Sequence, residues 1–100
     1  MTELVDYESF VIGQFKNDLE LCREMVRVSI TEYIKSGDDK NVSFILLNLG
    51  RIINARGYTD FEAANISRQQ IDDALQHKEG YDPDIINKMF EALEIKERIE

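Results

Sequence analysis

One hundred residues, 43% hydrophobic and 32% charged, have the balance of a single soluble globular domain and not of a disordered or membrane-spanning chain. Twelve basic against 20 acidic residues leave a formal charge of −8, which disfavours broad contact with a phosphate backbone. That charge favours a basic protein partner or a nucleic-acid site confined to a small patch.

In chain order, residues 1–16 carry Leu4, Tyr7, Phe10, Val11 and Phe15 at three- and four-residue spacing, with Glu3, Asp6 and Glu8 between them. This is the stripe of a short amphipathic helix, weakened by Gly13, and it reads as a packing arm over the rest of the core. From a cap at Asn17 or Asp18, a longer helix runs to Lys35 and stops at Ser36 and Gly37. Its stripe is Leu19, Cys22, Val26, Ile30 and Tyr33, flanked by Met25 and Ile34, while Glu20, Arg23, Glu24, Arg27 and Glu32 read as a solvated face. Cys22 is a lone thiol on the apolar stripe, with no His or second Cys at ligand spacing, and reads as buried and structural.

After the polar loop Gly37-Asp38-Asp39-Lys40, Asp39 or Asn41 can cap a third helix over about Val42 to Ala55. Val42, Ile45, Leu46, Leu49, Ile52 and Ile53 share one face and Phe44 and Leu47 widen it, so this helix should be central to the core. Arg51 and Arg56 complement the dipole at its C-terminus, and Gly57 ends it.

Thr59 to Lys78 reads as two short helices joined at Asn65-Ile66-Ser67. Ser67 followed by Gln70 is a capping box, in which each side chain satisfies a backbone donor at the helix start. Phe61 and Ala64 are expected to face inward from the first helix, and Ile71 and Leu75 to follow Ile66 in pinning the second. Helix, tight turn, helix is the geometry that sets a reading helix into a DNA major groove. Ser67, Arg68, Gln69 and Gln70 would then lie on the exposed N-terminal turn, where Arg suits guanine and Gln suits adenine. A cap role for Ser67 and Gln70 and an ordinary surface charge at Arg68 explain the same residues without DNA.

Asp82-Pro83-Asp84 is an N-cap, a first-turn proline and a first-turn acid, opening a last helix with Ile85, Ile86, Met89, Phe90 and Leu93, followed by Ile95. The expected fold is all-α, a compact bundle of five or six helices in one domain over 1–100. Residues 1–38 would pack on a helix-turn-helix core at 40–95. The absence of a basic segment before an apolar core at the N-terminus, together with the single cysteine, points to a reducing cytoplasm.

The run from Phe44 to Gly57, the turn Asn65-Ile66-Ser67-Arg68, Ala74-Leu75 and Met89-Phe90-Glu91-Ala92-Leu93 together resemble the addiction-module antidote proteins. These are small helix-turn-helix proteins similar to phage repressors and usually encoded beside a toxin. The resemblance covers about Tyr7 to Ile95. It implies homodimerisation, operator DNA binding that represses the protein's own operon, and contact with a basic toxin. It further implies a nucleic-acid-binding set of Thr59, Ser67, Arg68, Gln69, Gln70, Asp73 and Lys78, with Thr59 touching phosphate. Two features depart from the family: the first short helix is one residue shorter, with Phe61 where a small residue lets the helices cross closely and, as the milder change, Asn65 where the turn usually has Gly; and the unit is acidic.

Between Gly57 and Phe90, three bases (Arg68, Lys78, Lys88) face seven acids (Asp60, Glu62, Asp72, Asp73, Glu79, Asp82, Asp84). The alternative expectation is therefore an acidic helical module that neutralises a toxin or nucleic-acid enzyme without touching DNA. No phosphate loop, nucleophile elbow or metal motif is present, and the only histidine, His77, reads as a helix-terminal charge, so neither an enzyme nor a cofactor is expected.

Overall fold

The computed structural model describes residues 3–37, 40–76 and 82–99. Among the described residues the apolar spacing produces six helices in the order expected: α1 (Glu3–Asn17), α2 (Leu19–Ser36), α3 (Lys40–Arg56), α4 (Thr59–Glu62), α5 (Arg68–Gln76) and α6 (Pro83–Ala92). There is no strand among the described residues. The fold is thus an all-helical bundle, and no helix among these residues is long and apolar enough to cross a membrane.

Local chemistry sets the boundaries. Asp18 caps α2 by accepting the Leu21 amide at 3.0 Å. Gly37, at φ 65°, closes that helix through its N–H to the Tyr33 carbonyl. Gly57 takes φ 77° after α3, a left-handed conformation that glycine adopts without steric cost. At the start of α6, Asp82 accepts from the amides of Asp84 and Ile85, with Pro83 just inside the helix where its missing donor is harmless. α3 begins earlier than expected, which puts Asn41 inside the helix; Asp39 lies outside the described residues.

α3 is central, packing against α1, α2 and α5. Its Ile45, Leu49 and Ile52 are fully buried together with Phe15, Cys22, Val26, Ile30, Phe61, Ile71, Ile86, Met89 and Phe90. Each of these side chains other than the Cys22 thiol contributes about 1.5–3 kcal/mol by leaving water. The expected stripe of α1 is corrected: Val11 and Phe15 are buried, but Tyr7 and Phe10 are 58% and 63% exposed. At about 100° per residue, Phe10 lies roughly 140° around the helix from Phe15, too far to share its contact. Ile34, Phe44 and Leu47, read as flanks of their helices, are likewise exposed.

Two polar joints lock the bundle. Asn48 on α3 donates to the Ser29 hydroxyl at 2.7 Å, and Ser29 donates to the Met25 carbonyl, so a buried amide is satisfied across the α2 and α3 contact. Asn87 on α6 donates to the Ile99 carbonyl at 2.7 Å and accepts the Ile99 amide at 2.9 Å. The second joint fixes a non-helical C-terminal segment that buries Leu93, Ile95 and Ile99. Arg23, expected on a solvated face, instead donates to the Leu93 carbonyl and pairs with Glu94. Arg27 reaches Glu97 from the same helix.

Candidate nucleic-acid interface

α4, the turn at 63–67 and α5 form the unit on which the expected reading surface sits. Phe61 is fully buried at its start, Ile66 is buried in the turn, and Ile71 and Ala74 bury one face of α5. Leu75 is only half-buried, and Ala64, expected to face inward, is exposed. The chain turns sharply because Asn65 adopts φ 66°, the left-handed conformation that Asn tolerates better than other residues with a Cβ. Phe61 closes the turn through its carbonyl, which accepts the amides of Ala64 and Ile66.

The capping box is present in both directions. Ser67 Oγ accepts the Gln70 amide at 3.1 Å, and Gln70 Oε1 accepts the Ser67 amide at 3.0 Å. α5 therefore starts at Arg68 with Ser67 as its cap. Pinned from below by Ile66, Ile71 and Ala74, this helix turns Ser67, Arg68, Gln69, Gln70 and Asp73 to solvent, and Thr59 is exposed at the start of α4. Six of the seven expected contact residues are thus exposed on one helix-turn-helix unit, while Lys78 lies outside the described residues.

Several of these side chains already have partners. Gln69 donates to Asp73 at 3.1 Å. Arg68 Nε donates to Glu62 at 3.0 Å across the turn, and its guanidinium lies 4.9 Å from the centre of the Tyr58 ring. The Tyr58 hydroxyl donates to Asp72 at 2.7 Å, and this bond to a carboxylate raises the phenol pKa above its ordinary value. Tyr58 and Glu62 were not among the expected site residues. The only sign of them in the sequence is an aromatic and an acid upstream of Arg68, too common a pattern to stand out.

On another face, Glu8, Leu46, Leu47, Gly50, Asn54 and Leu75 are among the residues lining an open groove of about 840 Å³ between α1, α3 and α5. Arg51 crosses its edge, forked onto Glu8 at 2.8 and 2.9 Å. This fork holds the Glu8 carboxyl below its ordinary value and Arg51 above its own. Arg56 pairs with Asp60 at 3.1 Å, fastening α3 to α4. Arg51 and Arg56 therefore serve as cross-links between helices; Arg56 alone lies in the last turn of α3, and Arg51, expected to complement the dipole there, sits more than a turn before the helix end.

Among the described residues, no group of three or more His, Cys, Asp or Glu is placed to hold a metal ion. Burial pushes the Cys22 thiol above its ordinary value, and its Sγ donates to the Phe15 carbonyl. A thiol so held is a poor nucleophile. Comparison with protein-family models, curated proteins and solved structures finds no match.

Proposed function

We propose that this chain is an operator-binding helix-turn-helix regulator of the antitoxin type, acting in the cytoplasm as a homodimer that represses its own operon. The observation that carries the reading is α5: Ile71 and Ala74, with Ile66 in the turn before it, anchor the helix, and its first turn exposes Ser67, Arg68, Gln69 and Gln70 to solvent, with Asp73 exposed one turn on. An anchored helix with an exposed polar N-terminal turn is what major-groove reading requires. In this reading Arg68 recognises guanine, Gln69 contacts an adjacent base edge, Asp73 accepts from cytosine N4, and Thr59 touches phosphate. Ser67 and Gln70 fix the start of the reading helix.

The acidic surroundings set the character of binding. With few bases to neutralise phosphates, non-specific affinity is low, and discrimination comes from base contacts. Fluorescence anisotropy on a duplex from upstream of the protein's own coding sequence, against a scrambled duplex of equal length at low salt, tests the proposal. Preference for the upstream duplex, abolished by Arg68→Ala, is expected; equal binding to both by the wild type refutes the regulator reading.

The groove supports a second reading, an acidic helical module that captures a basic protein such as a toxin. Leu47 stands 45% exposed at its wall on a chain of net charge −8. Co-purification with the product of the adjacent gene separates the two. A complex that survives Arg68→Ala and is lost on Leu47→Asp supports capture through the groove, whereas one indifferent to Leu47→Asp refutes it.

A further inference from the structure

We infer that Tyr58 and Glu62 are positioning residues, which hold the Arg68 guanidinium so that its two terminal nitrogens read one guanine. The inference rests on α5 being a DNA-reading helix and adds what aims the arginine.

An arginine at the first position of a helix, 66% exposed at its side chain, would ordinarily sample many rotamers. Here two independent contacts restrict it. Glu62 Oε2 accepts from Nε at 3.0 Å, which fixes the inner edge of the guanidinium. The Tyr58 ring lies against its face, with Cζ 4.9 Å from the ring centre, within range of a cation–π contact. Tyr58 is itself held by its hydroxyl bond to Asp72 on α5, so the platform and the arginine ride on the same unit. Among the described residues, Nη1 and Nη2 make no hydrogen bond. They remain as a parallel pair of donors on the outer edge of a plane whose other edge is occupied. Two parallel N–H groups match the O6 and N7 acceptors of guanine and do not match adenine, which presents a donor at N6.

Glu62 therefore has a role that its charge alone would not predict. As an acid beside a phosphate-facing helix it weakens binding to every duplex equally. As a clamp on Nε it raises the preference for guanine. Comparing two duplexes that differ at one base pair cancels the first effect and leaves the second.

Duplexes are selected by the full-length wild-type protein from a random-sequence pool, and the guanine whose preference vanishes with Arg68→Ala is located. Affinity for the selected duplex is then compared with that for the same duplex carrying adenine, or 7-deazaguanine, which lacks the N7 acceptor, at that position. Wild type should discriminate roughly ten- to hundredfold, the range of a good bidentate contact. Glu62→Ala and Tyr58→Leu should each reduce this ratio by about two- to tenfold, the cost of ordering a flexible side chain on binding. Glu62→Gln, which keeps an acceptor for Nε, and Tyr58→Phe, which keeps the ring, should retain most of it. Circular dichroism establishes that each variant is folded, and the exposed Glu62 carries the test if Tyr58→Leu is not. Full discrimination in folded Glu62→Ala, or selected duplexes with no guanine assigned to Arg68, overturns the positioning inference and leaves the regulator reading in place. A pool that yields no preferred duplex overturns both.

Discussion

Replacing Ser67 with alanine removes one acceptor from the start of α5 and leaves the rest of the helix as it is. The hydroxyl accepts the Gln70 amide at 3.1 Å, whereas the return bond from the Ser67 amide to Gln70 Oε1 needs only the residue 67 backbone and survives. The site is exposed, so water partly replaces the lost acceptor, and the expected cost is about 1 kcal/mol, the centre of the range for such caps. For a chain of this length that is roughly 4–8 °C in thermal midpoint. Far-UV circular dichroism melts of wild type, Ser67→Ala and Ser67→Asp at neutral pH provide the assay. Ser67→Ala should melt lower by that amount, and Ser67→Asp, which keeps an acceptor, should stay close to wild type. An unchanged midpoint in Ser67→Ala would refute the cap and return the hydroxyl to the pool of base-contacting groups.

Three further outcomes follow from the geometry. Gly13 lies in the middle of α1 with open space where a Cβ would stand, whereas Gly57 sits at φ 77°, so Gly13→Ala should stabilise by about 0.4–1 kcal/mol and Gly57→Ala should destabilise, both read by urea melts. Asn87→Ala strips both partners from the buried Ile99 backbone and should cost about 1–3 kcal/mol per unsatisfied group, with amide exchange accelerated first at Ile99. The Glu8 carboxyl is held by Arg51 below its ordinary value of 4.5, so the folded state binds this proton less readily than the unfolded state. The pair's contribution is complete above that ordinary value and disappears as pH falls through the lower folded value, and Glu8→Gln should flatten this part of the stability profile.

Where a local rule decided the structure, the sequence was a good guide. Asp18, Gly37, Gly57, the Ser67 and Gln70 box and Asp82-Pro83 mark helix ends through side-chain acceptors or backbone freedom, and all of them fall where that chemistry places them. Tertiary geometry was less legible. The three-residue step from Tyr7 puts Phe10 at the edge of the stripe of α1, roughly 140° from Phe15, and the packing of α2 and α3 decides that the Val11 and Phe15 side is the buried one. Arg23 and Glu20 three residues apart look like an ordinary surface pair, and nothing local shows that Arg23 also reaches the Leu93 carbonyl, 70 residues away. The buried C-terminal segment was only half visible: Ile95 stood out, but Ile99 lies among charged residues and depends on Asn87.

The candidate site divides in the same way. The exposure of Gln69 and Asp73 follows from the helical period counted from Ile71 and Ala74, whereas Ser67 and Arg68, four and three residues before Ile71, are exposed because they form the first turn of the helix. The engagement of Arg68 by Glu62 and Tyr58 required the turn at Asn65 to bring these side chains together, a contact with no sequence signature.

The most direct test of the central claim is a titration of ¹⁵N-labelled protein with the upstream duplex, following backbone amide shifts. If α5 is the reading helix, the largest perturbations fall on Thr59 and on residues 67–73, with residues 43–54 of α3 little changed. Perturbations centred on the groove at Leu47, Gly50 and Leu75, or none at a duplex excess at low salt, would contradict it.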